Sequence, residues 1–328
     1  MKPLRLAVWG LGGHAVGKIL PAVAAADGLA LAGVCSRNAG AVAECSAAWR
    51  CIGWTDPKAM LRDDRVDIVY VATPIALHAE HGRHVLEAGK HLWCEKPLTT
   101  SRDRTMELMA LSRAQGRAVF EGHMYLHHPQ FRQLRSYVAG GRLGTIASIA
   151  CRFGIPRLER PGFRTDPALG GGALLDVGCY PVSALQALFP DDRERVLSAR
   201  SFTRDGWGLD TDGDALIELS GGAVAHLEWR INSSYRADID VWGDKGSVFT
   251  EKMFSKPATY VPVLHLRDVK GTETTERTDA ADHFVLMLRD FRIMIDDGMA
   301  VESQRCSITR RADVLEQIRS VSASTAKD

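Results

Sequence analysis

Apolar residues occur first in short unbroken runs separated by stretches of helical periodicity, and later in runs where apolar and polar positions alternate. The first regime predicts strands over residues 4–9, 29–35, 66–72, 91–94 and 118–121, with helices over 41–49, 76–87 and 101–115 and a short one after Asp56. The periodicity of Val16, Ile19 and Leu20 adds a helix after the first strand, which Pro21 should kink or end early. Continuous apolar strands are those covered on both faces, so this part reads as a doubly wound parallel sheet.

From about Thr145 the pattern changes. Alternating strands are predicted over 146–153, 196–204, 214–219, 223–231 and 237–242, one amphipathic helix over 174–189, and helices again at 282–296 and 312–320. The fold class is therefore α/β: an N-terminal Rossmann domain over residues 1–122, then an α+β domain over 123–328 built on a mostly antiparallel sheet with one open face. Such a face needs cover, and a second copy supplies it by symmetry, so a homodimer or homotetramer is expected.

The first strand is followed directly by Gly10-Leu11-Gly12-Gly13-His14-Ala15, a G-x-G-x-x-A turn. In that form one glycine makes the tight turn, the next admits a pyrophosphate, and a small third residue packs helix on strand. An NAD site places Asp or Glu after the second strand to hold the ribose hydroxyls. Here the residues are Ser36-Arg37-Asn38, with no acidic residue between Asp27 and Glu44, so the expected cofactor is NADP(H), with Ser36 and Arg37 at the 2'-phosphate. Ligands of open parallel sheets bind outside the carboxyl ends of the strands. Gly10, Gly12, Gly13, His14, Ser36, Arg37, Thr73, Pro74, Glu95 and Lys96 all fall on that edge.

Composition narrows the function classes. In 328 residues, 45% hydrophobic and 25% charged, 41 Lys and Arg nearly balance 40 Asp and Glu, so no global field favours nucleic acid or an anionic membrane. Seven cysteines without C-x-x-C spacing argue for reduced thiols in a cytoplasmic protein, and no signal peptide or uncharged membrane-spanning run is expected. His78, His81 and His84 recur every third residue, and His123, His127 and His128 cluster, but no H-E-x-x-H or thiolate set accompanies them, so no metal is expected.

Asp176 and Tyr180 stand four apart on the helix that follows Gly170-Gly171-Gly172, on one face and able to converge on one ligand. Carbonyl reduction needs a hydride at carbon and a proton at oxygen. Tyr180 can supply the proton if a nearby ammonium lowers its pKa from about 10, leaving Asp176 to orient a substrate hydroxyl.

Taken in order, the motifs resemble the glucose–fructose oxidoreductase, inositol dehydrogenase and MocA family over nearly the whole chain. They are the glycine turn, Ala72-Thr73-Pro74 followed by His78, Glu95-Lys96-Pro97, His128-Pro129 after Glu121, the run Gly170 to Tyr180, and Gly243-Asp244-Lys245-Gly246-Ser247. The resemblance implies a Rossmann domain plus a sheet domain, NAD or NADP as cofactor, and sugars, polyols and related alcohols or ketones as substrates. It implies that Lys96 lies between nicotinamide ribose and substrate oxygen, that His78 lies near the cofactor, and that Arg164 occupies an often basic position facing cofactor or substrate. Many members carry histidine where this chain has Tyr180; tyrosine resembles the branch of dihydrodiol and xylose dehydrogenases and deoxysugar ketoreductases, although Leu126 and His127 replace its usual arginine and aromatic.

The stretches 251–257 and 281–291 look like those of the ketoreductases. The expected activity is thus NADP(H)-dependent reduction of a keto-sugar, free or carried on a nucleotide. Oxidation of simple aldoses or dihydrodiols is the alternative, and a dinucleotide-binding regulator without turnover is the alternative of another class. Phe153, Arg157, Arg164 and Tyr235 are the candidate second-domain pocket residues.

Overall fold

The computed structural model describes residues 3–156, 162–204 and 206–325. Contacts divide the chain into two units, residues 1–122 with 284–309 and residues 123–283 with 310–328. Arg157 lies outside the described residues.

The first unit opens with β1 (Leu4–Trp9), α1 (Leu20–Ala25), β2 (Leu29–Cys35), α2 (Ala39–Trp49), β3 (Ile52–Trp54) and α3 (Pro57–Arg62). It continues through β4 (Ile68–Val71), α4 (His78–Glu87), β5 (His91–Glu95), α5 (Arg102–Gln115) and β6 (Val119–Gly122). The strands form one parallel six-stranded sheet in the order β3-β2-β1-β4-β5-β6. Helix starts are set by side chains that satisfy free backbone N–H groups: Asn38 accepts from Ala41 N at 3.1 Å, Asp56 from Lys58 N at 2.9 Å ahead of Pro57, and Ser101 from Arg104 N at 3.4 Å. Pro21 does not end its helix. A π turn over Ala15–Ile19 precedes it and the helix runs on through α1, with Pro21 among the first two residues of that element.

In the second unit, α6 (Pro129–Ala139) leads to β7 (Ile146–Gly154), and α7 (Cys179–Leu188) to β8 (Glu194–Phe202), β9 (Asp212–Leu219), β10 (Val224–Arg230) and β11 (Arg236–Gly243). Then come β12 (Gly246–Thr250), β13 (Val263–Asp268) and β14 (Glu273–Arg277). The order is β14-β13-β12-β11-β7-β10-β9-β8; β7 and β10 run parallel and the other pairs antiparallel. One face is apolar core, with Ile149, Cys151, Phe153, Leu227, Trp229, Ile239 and Val241 buried. The other carries cross-strand ion pairs: Arg152 meets both Glu228 and Asp238 at 2.9 Å, and Arg200 meets Asp214 at 2.9 Å. Residues 167–188 are long and apolar enough by composition to span a membrane, but the stretch carries Asp176 and 89% of its most apolar window is buried inside the fold.

Two last helices follow, α8 (His283–Met294) and α9 (Gly298–Thr325). Residues 284–309, expected with the second domain, pack in the first unit. Phe291 stacks on Phe120 at 4.6 Å and meets the edge of Trp93 at 5.5 Å, while Arg305 donates to Ser112 Oγ at 2.9 Å and to the Arg117 carbonyl at 3.0 Å. These are core contacts of the parallel sheet, and their long range hides them from local pattern.

Candidate active site

Gly10 has φ +109°, and a Cβ there would stand 2.6 Å from the Ala72 carbonyl oxygen, so only glycine lets the ends of β1 and β4 meet. At Gly12 and Gly13 a Cβ would meet nothing within 4 Å. The protein itself therefore has no need of glycine at those two positions, whereas a dinucleotide laid against the turn would fill the space of a Cβ. Beside it, at the end of β2, Ser36 Oγ accepts from Asn38 N at 3.2 Å, and Arg37 is exposed with no ion pair among the described residues.

A half-buried carboxylate ties this edge together. Glu95 Oε1 accepts from Tyr70 Oη at 2.7 Å and lies 2.9 Å from His14 Nε2. Burial would raise the Glu95 pKa, but His14, Tyr70 and Lys96 outweigh it and hold the carboxyl at about 2. His14, placed by its motif at the pyrophosphate turn, thus turns its ring to the last residue of β5, next to Lys96, with Phe284 against it edge-on at 5.3 Å.

Two residues support the edge from behind. His78 is buried, its Nδ1 3.0 Å from the Pro97 carbonyl and its Nε2 2.8 Å from the Thr73 carbonyl, so it links the two loops that carry Thr73-Pro74 and Lys96. Glu121, also buried, accepts from Leu98 N at 2.7 Å and fixes the loop after Lys96 from below. A charged residue closing the apolar run of β6 was the available signal for Glu121.

In the second unit, a π turn over Leu174–Gly178 precedes α7, and Asp176 lies within it, its side chain 3% exposed. A Cβ at Gly171 would fall 2.6 Å from the Arg164 carbonyl and 2.7 Å from that of Phe163. The glycine run therefore lets the Phe163–Thr165 turn lie directly on it, with Gly172 N donating to Arg164 O at 3.1 Å, and the Arg164 guanidinium pairs with the Asp176 carboxylate. The four-residue spacing to Tyr180 was legible in the sequence; the arginine on the carboxylate was not.

Tyr180 is 7% exposed, and its hydroxyl faces Met124 Sδ at 3.8 Å. Around the ring stand Phe153 at 5.0 Å, Phe254 at 5.5 Å, His123 at 5.6 Å and Tyr125 at 5.9 Å between centroids. Phe153, a candidate pocket residue, thus packs on Tyr180. Tyr235 instead donates its hydroxyl to the Ser255 carbonyl at 2.7 Å. Among the described residues no group of three His, Cys, Asp or Glu could hold a metal ion, and all seven cysteines are free thiols.

Comparison with known proteins matches residues 4–123 to the oxidoreductase family with an NAD-binding Rossmann fold, and residues 131–249 to the GFO/IDH/MocA C-terminal domain. A dTDP-3,4-didehydro-2,6-dideoxy-alpha-D-glucose 3-reductase from Actinomadura kijaniata is 38% identical over 71% of this chain and 67% of its own. The enzyme of that name from Saccharopolyspora spinosa is 31% identical over 97% of each. Among solved structures, KijD10, a 3-ketoreductase from Actinomadura kijaniata in complex with NADP and TDP-benzene, superposes with a TM-score of 0.92 at 31% identity over 98% of both chains. Mutants of KijD10 with one tyrosine changed to phenylalanine, or one lysine to alanine, have also been crystallised. Those two residues are as far apart in its sequence as Lys96 and Tyr180 are here.

Proposed function

The chain belongs to the Gfo/Idh/MocA oxidoreductase family, and from that premise we propose that it is an NADP(H)-dependent reductase of a keto-sugar carried on a nucleoside diphosphate. The observation that carries this reading is the presence of Lys96 and Tyr180 at the separation found for the two residues altered in KijD10.

Bound NADPH supplies the hydride. Gly10, Gly12, Gly13 and the N-terminus of the following helix receive its pyrophosphate, as helix N-termini receive anions generally. Ser36 and the exposed Arg37 would receive the 2'-phosphate. Thr73, Pro74, His78 and Glu95 shape the remaining edge, and Glu95 keeps Lys96 beside a fixed negative charge. Tyr180 gives its hydroxyl proton to the substrate oxygen, and the Lys96 ammonium stabilises the phenolate left behind. Asp176, anchored by Arg164, orients a substrate hydroxyl with its remaining acceptor capacity. We place the protein in the cytoplasm, where its thiols stay reduced, and propose that a second copy covers the open sheet face, where Trp242 is 63% exposed.

The test is NADPH consumption with a dTDP-linked 3-keto-deoxysugar, run beside NADP+ reduction with D-xylose and with a dihydrodiol. Turnover of the keto-sugar supports the reading, whereas oxidation of xylose or the dihydrodiol alone replaces it with the dehydrogenase alternative. Arg37→Ser should weaken NADPH about tenfold or more and leave NADH unchanged, since a charged hydrogen bond contributes roughly 1.5–3 kcal/mol.

A further inference from the structure

The three histidines of α4 are used differently. His78 is buried between two carbonyls, and His84 Nε2 lies 3.3 Å from Arg83 Nη2 on the outer surface. His81 is clamped from two sides. Its ring lies flat on Trp9, centroids 3.9 Å apart at 17°, and its Nδ1 is 3.0 Å from Thr73 Oγ1. Trp9 is the last residue of β1 before Gly10, and Thr73 follows β4, so the imidazole is fixed by the ends of the two strands that frame the cofactor turn.

We propose that His81 is a further cofactor-selectivity residue, holding its Nε2 beside Arg37 to bind the 2'-phosphate of the dinucleotide. With the Thr73 hydroxyl donating to Nδ1, the proton of a neutral ring sits on Nε2, which has no partner among the described residues and is therefore an available donor. In doubly wound sheets the ribose that carries the 2'-substituent lies at the end of the second strand, where Arg37 stands. Trp9, on which the His81 ring lies, is the register partner of Cys35, two residues before Arg37, and the charge of Arg37 acts on His81.

The local charges decide how the ring behaves. Burial lowers the His81 pKa to about 4; Glu80 opposes the shift, while His78 and His84 on its own helix and Arg37 after β2 reinforce it. The free protein therefore holds His81 neutral at pH 7. A phosphate dianion placed between Arg37 and His81 reverses the sign of the field, so the His81 pKa rises as NADPH binds. NADH, without the phosphate, brings no such charge.

This inference rests on the NADP(H) reading above. Fluorescence titrations of the full-length wild type and His81→Gln with NADPH and NADH, at pH 5.5 and pH 8, test it; glutamine keeps an amide for Thr73. NADPH should be weakened at both pH values and most at pH 5.5, by about tenfold or 1.4 kcal/mol, with NADH within about twofold. The titration of the 2'-phosphate itself is common to both proteins and cancels in the comparison. Equal weakening of both dinucleotides, or none, overturns the proposal and leaves His81 as packing for Trp9. Nitrogen NMR of the histidine rings in the wild type gives an independent answer if the variant does not fold. The His81 pKa should rise by more than about one unit with NADPH and not with NADH, and equal values in the two complexes overturn the proposal. Wild type that binds neither dinucleotide defeats the functional reading itself, whereas selective NADPH binding that His81→Gln leaves intact defeats only this one.

Discussion

The turn after β1 and the segment before α7 each break regular helix with a π turn, yet they are built from different material. At Gly10 to Ala15 the working groups are backbone: a glycine with positive φ, two glycines that nothing in the protein requires, and the N–H groups of a helix start. Around Asp176 and Tyr180 the working groups are side chains brought in from elsewhere, with Arg164 on the carboxylate and Met124, His123, Phe153 and Phe254 around the phenol. A backbone site tolerates little and serves one invariant ligand. A side-chain site can be retuned one residue at a time, which suits the part that meets a variable substrate.

Three substitutions sharpen that contrast. The largest effect falls on the side-chain half. Tyr180→Phe should lower kcat by about 10²–10⁴-fold, the usual worth of a positioned proton donor, with NADPH affinity within about twofold by fluorescence titration. Unchanged turnover with a keto-sugar would remove Tyr180 from the chemistry, and a chain whose only measurable response is dinucleotide binding would point to a regulator.

Gly10→Ala attacks the backbone half. Positive φ and a Cβ 2.6 Å from the Ala72 oxygen should together cost about 4 kcal/mol in urea unfolding and abolish NADPH binding. A variant with native stability would show that the ends of β1 and β4 can part freely.

The smallest effect is a pH dependence. The Glu95 carboxyl has a folded pKa of about 2 against an ordinary 4.5, so its contribution is fully present above pH 4.5 and lost as pH falls toward 2. Unfolding of the wild type between pH 5 and pH 2 should show up to about 3 kcal/mol of acid loss from this group, and Glu95→Gln should lack that part of the slope. Parallel curves would mean that His14 and Tyr70 do not hold the charge.

The same contrast explains what could be read in advance. The parallel sheet, the glycine turn, and the places of Arg37 after β2 and Lys96 after β5 were legible because each depends on neighbours in sequence. So was the tyrosine at helical spacing from Asp176. The Arg164–Asp176 pair, the His78 bridge and the Glu121 contact with Leu98 were not, since each joins segments whose approach is decided by packing. Strand β14 escaped because it is the sheet edge and its residues, Glu273 to Arg277, are mostly exposed and polar or charged and read as loop. Helix α6 escaped because its start, His128-Pro129, reads as a turn until His128 is seen accepting from Gln130 N at 3.0 Å.

The return of residues 284–309 to the first unit has a consequence for biosynthesis. Phe291 and Arg305 complete the packing around Trp93, Phe120 and Ser112, so a nascent chain that has only just released β6 from the ribosome has made its nucleotide-binding strands without their cover. That sheet must wait, with Trp93 and Phe120 incompletely buried, while some 160 further residues are translated, roughly 8–30 s at ordinary elongation rates. Chaperone demand should therefore concentrate in that interval, and a premature stop before Phe284 should leave an aggregation-prone Rossmann fragment rather than a small independent binding domain.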